Sequence, residues 1–445
     1  MTSSVPIPLL SLRPLELVLH AGTLRASEQD EAASLPPSIT APSSTNRSYA
    51  PWLQVLVGHL VLFNSFGITQ SFGVFAPYYA RLLDASPSQV SWIGSTHLFL
   101  VYFVSAFSGR LLDVGYYRAS LGAGIVLQLL GLFLAGNFST YWVALVTHSV
   151  LMGLGDGLMV CPAVTNTALY FENRKKMVPM AVVASGAATG GIVVSLIAKF
   201  TIEMLGIAGT MRVVGGVALG NSVVICGLAR GMKREGKVAR KAWVDWMVFA
   251  DVQYGLYVLA MFFVFAGLWV PYFYLRDFAT TTVHMQKDTC LTILLALNAA
   301  GIPGRIIPAL LADYFLGTLN TYIFILLFTS ATLLLWPLIT KPVSIIIWAI
   351  CYGFCAGGVS SLLQAGIASL NTVPGELGAQ IGLAFGVVAF ASLIGGPLGG
   401  KLIEIGRASG EGNEFLWLQM FAGGVMAVGC GLLACARGWK IRRKV

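Results

Sequence analysis

Between residues 52 and 436 the chain is a succession of apolar runs of bilayer-crossing length, parted by short breaks of Gly, Pro, Asn and charge. The runs fall at 52–79, 89–111, 119–137, 141–169, 178–204, 211–230, 247–275, 289–312, 319–338, 343–370, 378–404 and 415–436. A backbone in hydrocarbon must satisfy its own polar groups, so each run is expected to be a helix. Only 11% of residues are charged, where soluble domains carry about 25%. With a mean hydropathy of +0.78, the surface suits lipid rather than water. The expected fold class is an all-α membrane protein with twelve transmembrane helices in two six-helix bundles.

The longest polar interruption, 231–246, divides the runs six and six. Five segments follow: a disordered cytoplasmic tail over 1–50, an N-terminal bundle over 51–230, a basic cytoplasmic linker over 231–246, a C-terminal bundle over 247–436 and a basic cytoplasmic tail over 437–445. The apolar patch Leu9–Leu19 is broken by Arg13, Pro14 and Glu16, too short to span and wrongly flanked for a signal peptide. Of the 28 Lys and Arg, nineteen fall in tails and loops on one side, six on the other and three (Lys199, Arg305, Lys401) inside runs. The positive-inside rule puts the nineteen, and both termini, in the cytoplasm. That bias accounts for the net charge of +9 without a nucleic-acid partner. The seven cysteines lie mostly within apolar runs, with no CxxC and no Cys/His cluster. They read as packing residues, and neither a disulfide framework nor a metal is implied.

One motif occurs twice. Gly109-Arg110-Leu111-Leu112-Asp113-Val114-Gly115-Tyr116-Tyr117-Arg118 ends the second run, and Pro308-Ala309-Leu310-Leu311-Ala312-Asp313-Tyr314-Phe315-Leu316-Gly317 ends the eighth. The first and seventh runs echo each other too, with Phe72-Gly73-Val74-Phe75-Ala76-Pro77-Tyr78-Tyr79 against Gly267-Leu268-Trp269-Val270-Pro271-Tyr272-Phe273-Tyr274. A duplicated charged turn in so apolar a chain implies two related, pseudo-symmetric halves, the construction of a secondary transporter. Gly186 and Gly190, and Gly382, Gly386, Gly395 and Gly399, form small-residue stripes for close helix packing.

Together these stretches resemble the major facilitator superfamily, whose loop between the second and third helices looks like Gly109…Asp113…Arg118, here with Gly115 one place early. Within it the chain is similar to the fungal branch of the monocarboxylate-porter family. Three stretches carry this: Asn64-Ser65-Phe66-Gly67 with Ser71-Phe72-Gly73-Val74-Phe75; Tyr170-Phe171-Glu172-Asn173-Arg174-Lys175-Lys176 with Ala181, Gly186 and Gly190; and Asn298-Ala299-Ala300 through Gly304-Arg305-Ile306-Ile307-Pro308 to Asp313. The resemblance covers about 51–440 and implies the major facilitator fold. In two places the chain departs from the animal members. Gln70 stands where they carry a Lys, and Gly301 where they carry an Asp one turn before the Arg. Those two groups are linked to proton-coupled carboxylate transport, so the departures bear on mechanism and leave the fold expectation untouched.

An ionisable group costs at least about 2.5–3.5 kcal/mol at the bilayer centre, so each one inside a run needs a reason. Arg305 stands eight residues before Asp313, roughly 12 Å deeper at 1.5 Å per residue and near the midplane. Its fork of donors suits a carboxylate or enolate. The alternative is an Arg bonded to carbonyls freed by Pro303 and Pro308. Asp156, within Gly153-Leu154-Gly155-Asp156-Gly157, is a proton-coupling candidate or a hydrogen-bonded carboxyl in the outer half. Asn64, Gln70 and Asn298 are candidate substrate contacts, Gln70 by its place in the resemblance. His59, His97 and His148, by contrast, are expected to bond across to neighbouring helices. Asp113, Arg118 and Asp313 are expected to gate at the inner loops. Tyr78, Trp269, Tyr272 and Tyr274 are read as an interface belt, or else as a mouth for a ring-bearing substrate. Lys199 and Glu203, four apart, are expected to pair. The sequon Asn137-Phe138-Ser139 is expected to stay unused.

The function so reached is secondary active transport, by alternating access, of a small organic anion such as a monocarboxylate or of an amphipathic metabolite. Efflux of a secondary metabolite is the alternative in the same class, and a receptor that binds without flux is the alternative in another. No catalytic set of residues points to an enzyme, and no cofactor or metal is implied. The expected partners are the lipid bilayer and one small molecule, with the proton as candidate co-substrate. The protein is expected to be a monomer in the plasma membrane.

Overall fold

A computed structural model describes residues 50–137, 140–171, 177–231, 250–370, 377–409 and 413–442. All lie in one compact unit made of Ser44–Lys233 and Val238–Val445. Residues 1–49 of the N-terminal tail, 232–246 of the linker with 247–249 after it, 443–445 of the C-terminal tail, the stretch Glu172-Asn173-Arg174-Lys175-Lys176 and the sequon residues Phe138 and Ser139 lie outside the described residues.

The described residues form helices and no strand. We number them by span. Helix α1 is Ala50–Gln70, continued after Ser71 as Phe72–Leu83; α2 is Pro87–Asp113, α3 Tyr117–Leu134 and α4 Tyr141–Tyr170. Met177–Leu228 holds α5 and α6; α7 is Val252–Leu268 continued as Val270–Thr281, and α8 is Lys287–Leu311. Then come α9 (Thr318–Leu334), α10 (Pro342–Leu370), α11 (Leu377–Ser409) and α12 (Leu416–Arg442). Eleven of these helices, taken unbroken, are long and apolar enough to cross a membrane. Their outward faces carry large apolar side chains such as Phe315, Met204 and Val223, at 81, 84 and 67% exposure, a coat that only lipid covers well.

Met177–Leu228, at 52 residues, is far too long for one span. Its direction reverses at Gly206, where φ is 66° and ψ −174°. Three observations establish the reversal. Thr201 Oγ1 donates to Thr210 Oγ1 at 2.9 Å, which nine residues of straight helix would forbid. Helix α1 meets rising numbers on α5, with Gly58 on Val183 and Gly67 on Gly190. It meets falling numbers on α6, with Gln54 on Leu228 and Asn64 on Ala218. The twelve expected spans are therefore present. Only glycine adopts Gly206's backbone conformation without strain, and other residues pay about 1–3 kcal/mol. Gly206→Ala is expected to lower the midpoint of thermal unfolding in detergent by several degrees, read by intrinsic fluorescence.

The doubled turn ends both helices at a positive-φ glycine, Gly115 (φ 93°) and Gly317 (φ 75°). Glycine accepts this geometry freely, and so it stops a helix. The second copy is longer because Ala312–Leu316 runs on as a π-turn. Helix α2 opens on a capping box, in which Ser86 Oγ accepts from Gln89 N at 3.3 Å and Gln89 Oε1 accepts from Ser86 N at 2.8 Å.

The breaks at 84–86, 135–137, 282–286 and 413–415 mark one end of the unit, which we call outer after the positive-inside expectation. Residues 114–116, Phe171 and Gly317 mark the inner end. Glycine stripes pack the spans. A Cβ on Gly67 would lie 2.7 Å from the backbone of Gly190, and one on Gly382 would lie 2.6 Å from Ala106 O. The second contact belongs to a seam between α2 and α11 that runs from Ser88 on Gly400, past Phe99 on Phe390, to Ala106 on Gly382. Asn137, as Oδ1, accepts from Arg212 Nη2 at 2.9 Å.

Candidate functional site

Arg305 is 1% exposed, one of the largest fully buried side chains in the molecule. Its Nη1 donates to Gly301 O at 2.8 Å. The Gln70 amide satisfies all its neighbours in one orientation. There its oxygen accepts from Arg305 Nη2 at 2.9 Å, and its nitrogen donates to Asn298 Oδ1 at 2.6 Å and Ala187 O at 3.0 Å. Three of the four expected substrate contacts, Gln70, Asn298 and Arg305, thus form one cluster joining α1 to α8 with α5 behind it. Asn64 does not join them. It is bonded to α6, where Nδ2 donates to Ala218 O at 3.3 Å and Oδ1 accepts from Asn221 Nδ2 at 2.8 Å. Six residues of helix turn Asn64 about 120° from Gln70.

Glycines give this cluster its room. A Cβ on Gly191 would lie 2.8 Å from Asn298 Oδ1, and one on Gly301 would lie 2.7 Å from Arg305 Nη1. The guanidinium thus fills the space in which any side chain at position 301 would start. Gly301→Ala is expected to displace it and weaken substrate binding about tenfold, roughly 1.4 kcal/mol, in an equilibrium binding measurement.

No described acid lies within ion-pair distance of Arg305. Its nearest polar neighbours are neutral, with the Tyr272 hydroxyl against the guanidinium and Tyr102 facing it. Arg305 Nε has no acceptor, and neither has Trp269 Nε1. Around them stands an aromatic wall. Phe66 and Trp269 stack with centroids 6.0 Å apart, Trp269 meets Tyr272 at 5.4 Å, and Tyr102 meets Phe66 at 5.7 Å and Phe385 at 5.3 Å. A buried cation held by neutral groups, with orphan donors beside π-faces, has the chemistry to pair with an anion and stack a ring.

Trp269, Tyr272 and Tyr274 are 2–3% exposed, which overturns the belt reading for these three. Their place near the end of an apolar run does not make them face lipid, because the outer half of α7 is wedged between α1 and α11. Gly73 abuts Tyr272 O, and the Tyr274 hydroxyl donates to Gly396 O at 2.7 Å. Tyr78 is half-buried beside an outer cavity.

A second polar cluster lies wholly in α1–α4. Asp156 is 0% exposed and pairs with His97 Nε2 at 2.8 Å. It also accepts from Gln128 Nε2, and Ser65 lies near it with its hydroxyl unpartnered. The His97 ring meets His148 edge-on at 5.9 Å, and His148 Nδ1 pairs with the Tyr79 hydroxyl at 2.9 Å. His148 Nε2, itself buried, has no partner. His59 bonds across to α5 as expected, through Val182 O at 2.8 Å and Thr189 at 3.1 Å. Sequence reasoning did not single out Gln128 and Ser65. The visible signal was a lone amide in the third apolar run.

Asp113 closes α2 near Cys161 of α4, Arg118 is exposed in the first turn of α3, and Asp313 is half-buried in the π-turn after α8. All three stand at the inner end, apart from the Arg305 cluster. The expected Lys199–Glu203 pair is not formed. The Lys199 ammonium lies over the Phe200 ring, 6.0 Å from its centroid, and both side chains line the outer cavity. An exposed pair of this kind gains too little to hold two mobile chains together.

Comparison with known proteins agrees with this architecture. The Major Facilitator Superfamily model matches residues 57–396. An MFS-type transporter of Gibberella zeae is 33% identical over 390 residues, 87% of this chain and 86% of that one. The aspyridones efflux protein of Emericella nidulans is 29% identical over 419 residues, 93% of this chain and 82% of its own. Among solved structures, a point mutant of the nucleoside transporter NupG superposes with a TM-score of 0.65 at 12% identity, covering 86% of this chain and 99% of that one.

Proposed function

This chain belongs to the Major Facilitator Superfamily, as a multi-pass membrane transporter of small molecules, and from that premise we propose that it exports a weakly acidic, ring-bearing secondary metabolite. The observation that carries the reading is Arg305, a fully buried guanidinium without an acidic partner among the described residues, set against an aromatic wall. A carboxylate or enolate supplies the missing charge, and Tyr272, Trp269 and Phe66 supply the surface for its ring. The efflux direction is supported by the relative named for aspyridone efflux. Within the superfamily we place the chain beside the monocarboxylate porters. Gln70 and Gly301 there remove a cation and an anion, leaving Arg305 as the charged group of the cluster.

Alternating access follows from two halves, 51–230 and 247–436, rocking about Arg305. Gln70 on α1 and Arg305 on α8 are bonded across the two halves, so substrate that replaces Gln70 at Arg305 changes what holds them together. Asp113, Arg118 and Asp313 gate the inner end. The Asp156–His97 pair carries the coupled proton, since a buried acid sharing one hydrogen bond with a histidine changes its partners when it is protonated. We place the working unit as a monomer in the plasma membrane with both termini in the cytoplasm.

Counterflow in proteoliposomes tests transport against reception. Preloaded metabolite is expected to accelerate uptake of labelled metabolite, whereas tight binding without counterflow would leave a receptor.

A further inference from the structure

At the outer end, α1, α5, α7 and α8 enclose a cavity of about 250 Å³. Arg81, Lys199 and Arg276 line it against two acids, Glu203 and Asp277. Among the described residues none of the three cations is within ion-pair distance of an acid. Neutral groups hold them instead. Arg81 lies 5.0 Å over the Tyr78 ring and Lys199 6.0 Å over Phe200. Arg276 Nη1 donates to Val74 O at 2.7 Å, tying α7 to α1.

The position of that bond is informative. Val74 stands four residues outward of Gln70, and Arg276 four outward of Tyr272, about one turn or 6 Å in each case. Gln70 and Tyr272 are the neutral groups that hold Arg305. The Arg276–Val74 bond therefore lies about one turn outward of the Arg305 cluster, on the side of the outer cavity. Gly73 packs at the same level, where a Cβ would lie 2.6 Å from Tyr272 O.

We propose that the outer cavity is a second station for the anion, and that Arg276 is both its ligand and the latch between the two stations. The guanidinium releases the Val74 carbonyl and takes the carboxylate or enolate leaving Arg305. A charge-assisted bond to an anion is about twice as strong as a bond to a neutral acceptor, so the anion itself opens the latch. The Tyr78 ring, already under Arg81, offers a face to the ring of the substrate. Three cations against two acids keep the mouth attractive to anions.

This rests on reading Arg305 as the anion site, and the test separates the two. Thr280 lines the cavity, and Leu294, fully buried beside Gly73, lies beneath the latch. The full-length chain carrying Thr280→Cys is labelled from outside with anionic or cationic methanethiosulfonates, less the label taken by the unsubstituted chain. The anionic reagent is expected to react about tenfold faster. Arg276→Gln and Arg81→Gln should abolish that preference, and Arg276→Lys and Arg305→Gln should keep it. With Leu294→Cys as reporter, labelling should be slow in the parent and at least about tenfold faster with either Arg276 substitution, since lysine cannot match the guanidinium's geometry. A Thr280→Cys rate blind to reagent charge, or absent, would overturn the station. An unchanged Leu294→Cys rate would overturn the latch. Either failure leaves Arg305-dependent export standing, whereas loss of an Arg305 effect on flux with the preference intact removes the inner site alone.

Discussion

Replacing Arg305 by Gln is expected to lower substrate flux about a hundredfold while the purified protein becomes no less stable. The two effects share one cause. The guanidinium donates to Gly301 O and Gln70 and is left with an unpartnered Nε. Truncating one partner of a buried, hydrogen-bonded charge pair costs about 2–5 kcal/mol of binding by common measure, and about 2.8 kcal/mol corresponds to a hundredfold. Without substrate, however, the buried charge has no acidic partner among the described residues and weighs against the fold, so a neutral side chain, though shorter, relieves it. Counterflow and thermal unfolding, measured on one preparation, decide between this and a structural arginine. A structural arginine would lose stability first and flux only in proportion.

Asp156→Asn is expected to abolish proton-driven net export while leaving substrate exchange in place. Export against an incoming proton should quicken as the outer side is acidified from about pH 7.5 to about 5.5, because the inward proton gradient that drives it grows. In Asp156→Asn the rate should be flat across that range, because an amide cannot carry the charge. His97→Gln should flatten it as well. The amide also brings a donor against the Gln128 Nε2 donor, so some loss of stability is expected. Exchange, which needs no net proton movement, is the measurement that keeps the two effects apart. A parent rate independent of pH would reduce the Asp156–His97 pair to packing.

Much of the fold was legible because membrane insertion is decided segment by segment. The charge-poor runs announced helices of spanning length, and the one place where two spans merge into Met177–Leu228 is punctuated by a glycine that bends as no other residue does. Arg305 was legible for the same reason, as its cost depends on depth alone. The aromatics of α7 misled because a residue's place along a helix says nothing of the direction it faces. Trp269 and Tyr272 follow the middle of the seventh run and are buried against α1, beside Arg305.

By itself, then, the sequence determined the class of the protein, the number of its spans and the two glycines that end the doubled turn. Only the tertiary structure decided which polar groups meet. It brought Gln70 and Asn298 to Arg305 and left Asn64 on α6, and it gave Asp156 not only His97 but also Gln128 from α3. It also set Arg276 on Val74 above the site. The reason is physical. Hydropathy sums along a chain and needs no partner, whereas a hydrogen bond between helices depends on the rotation of each helix and on which neighbour packs against it. Those are settled by glycine contacts and side-chain fit between residues far apart in the chain.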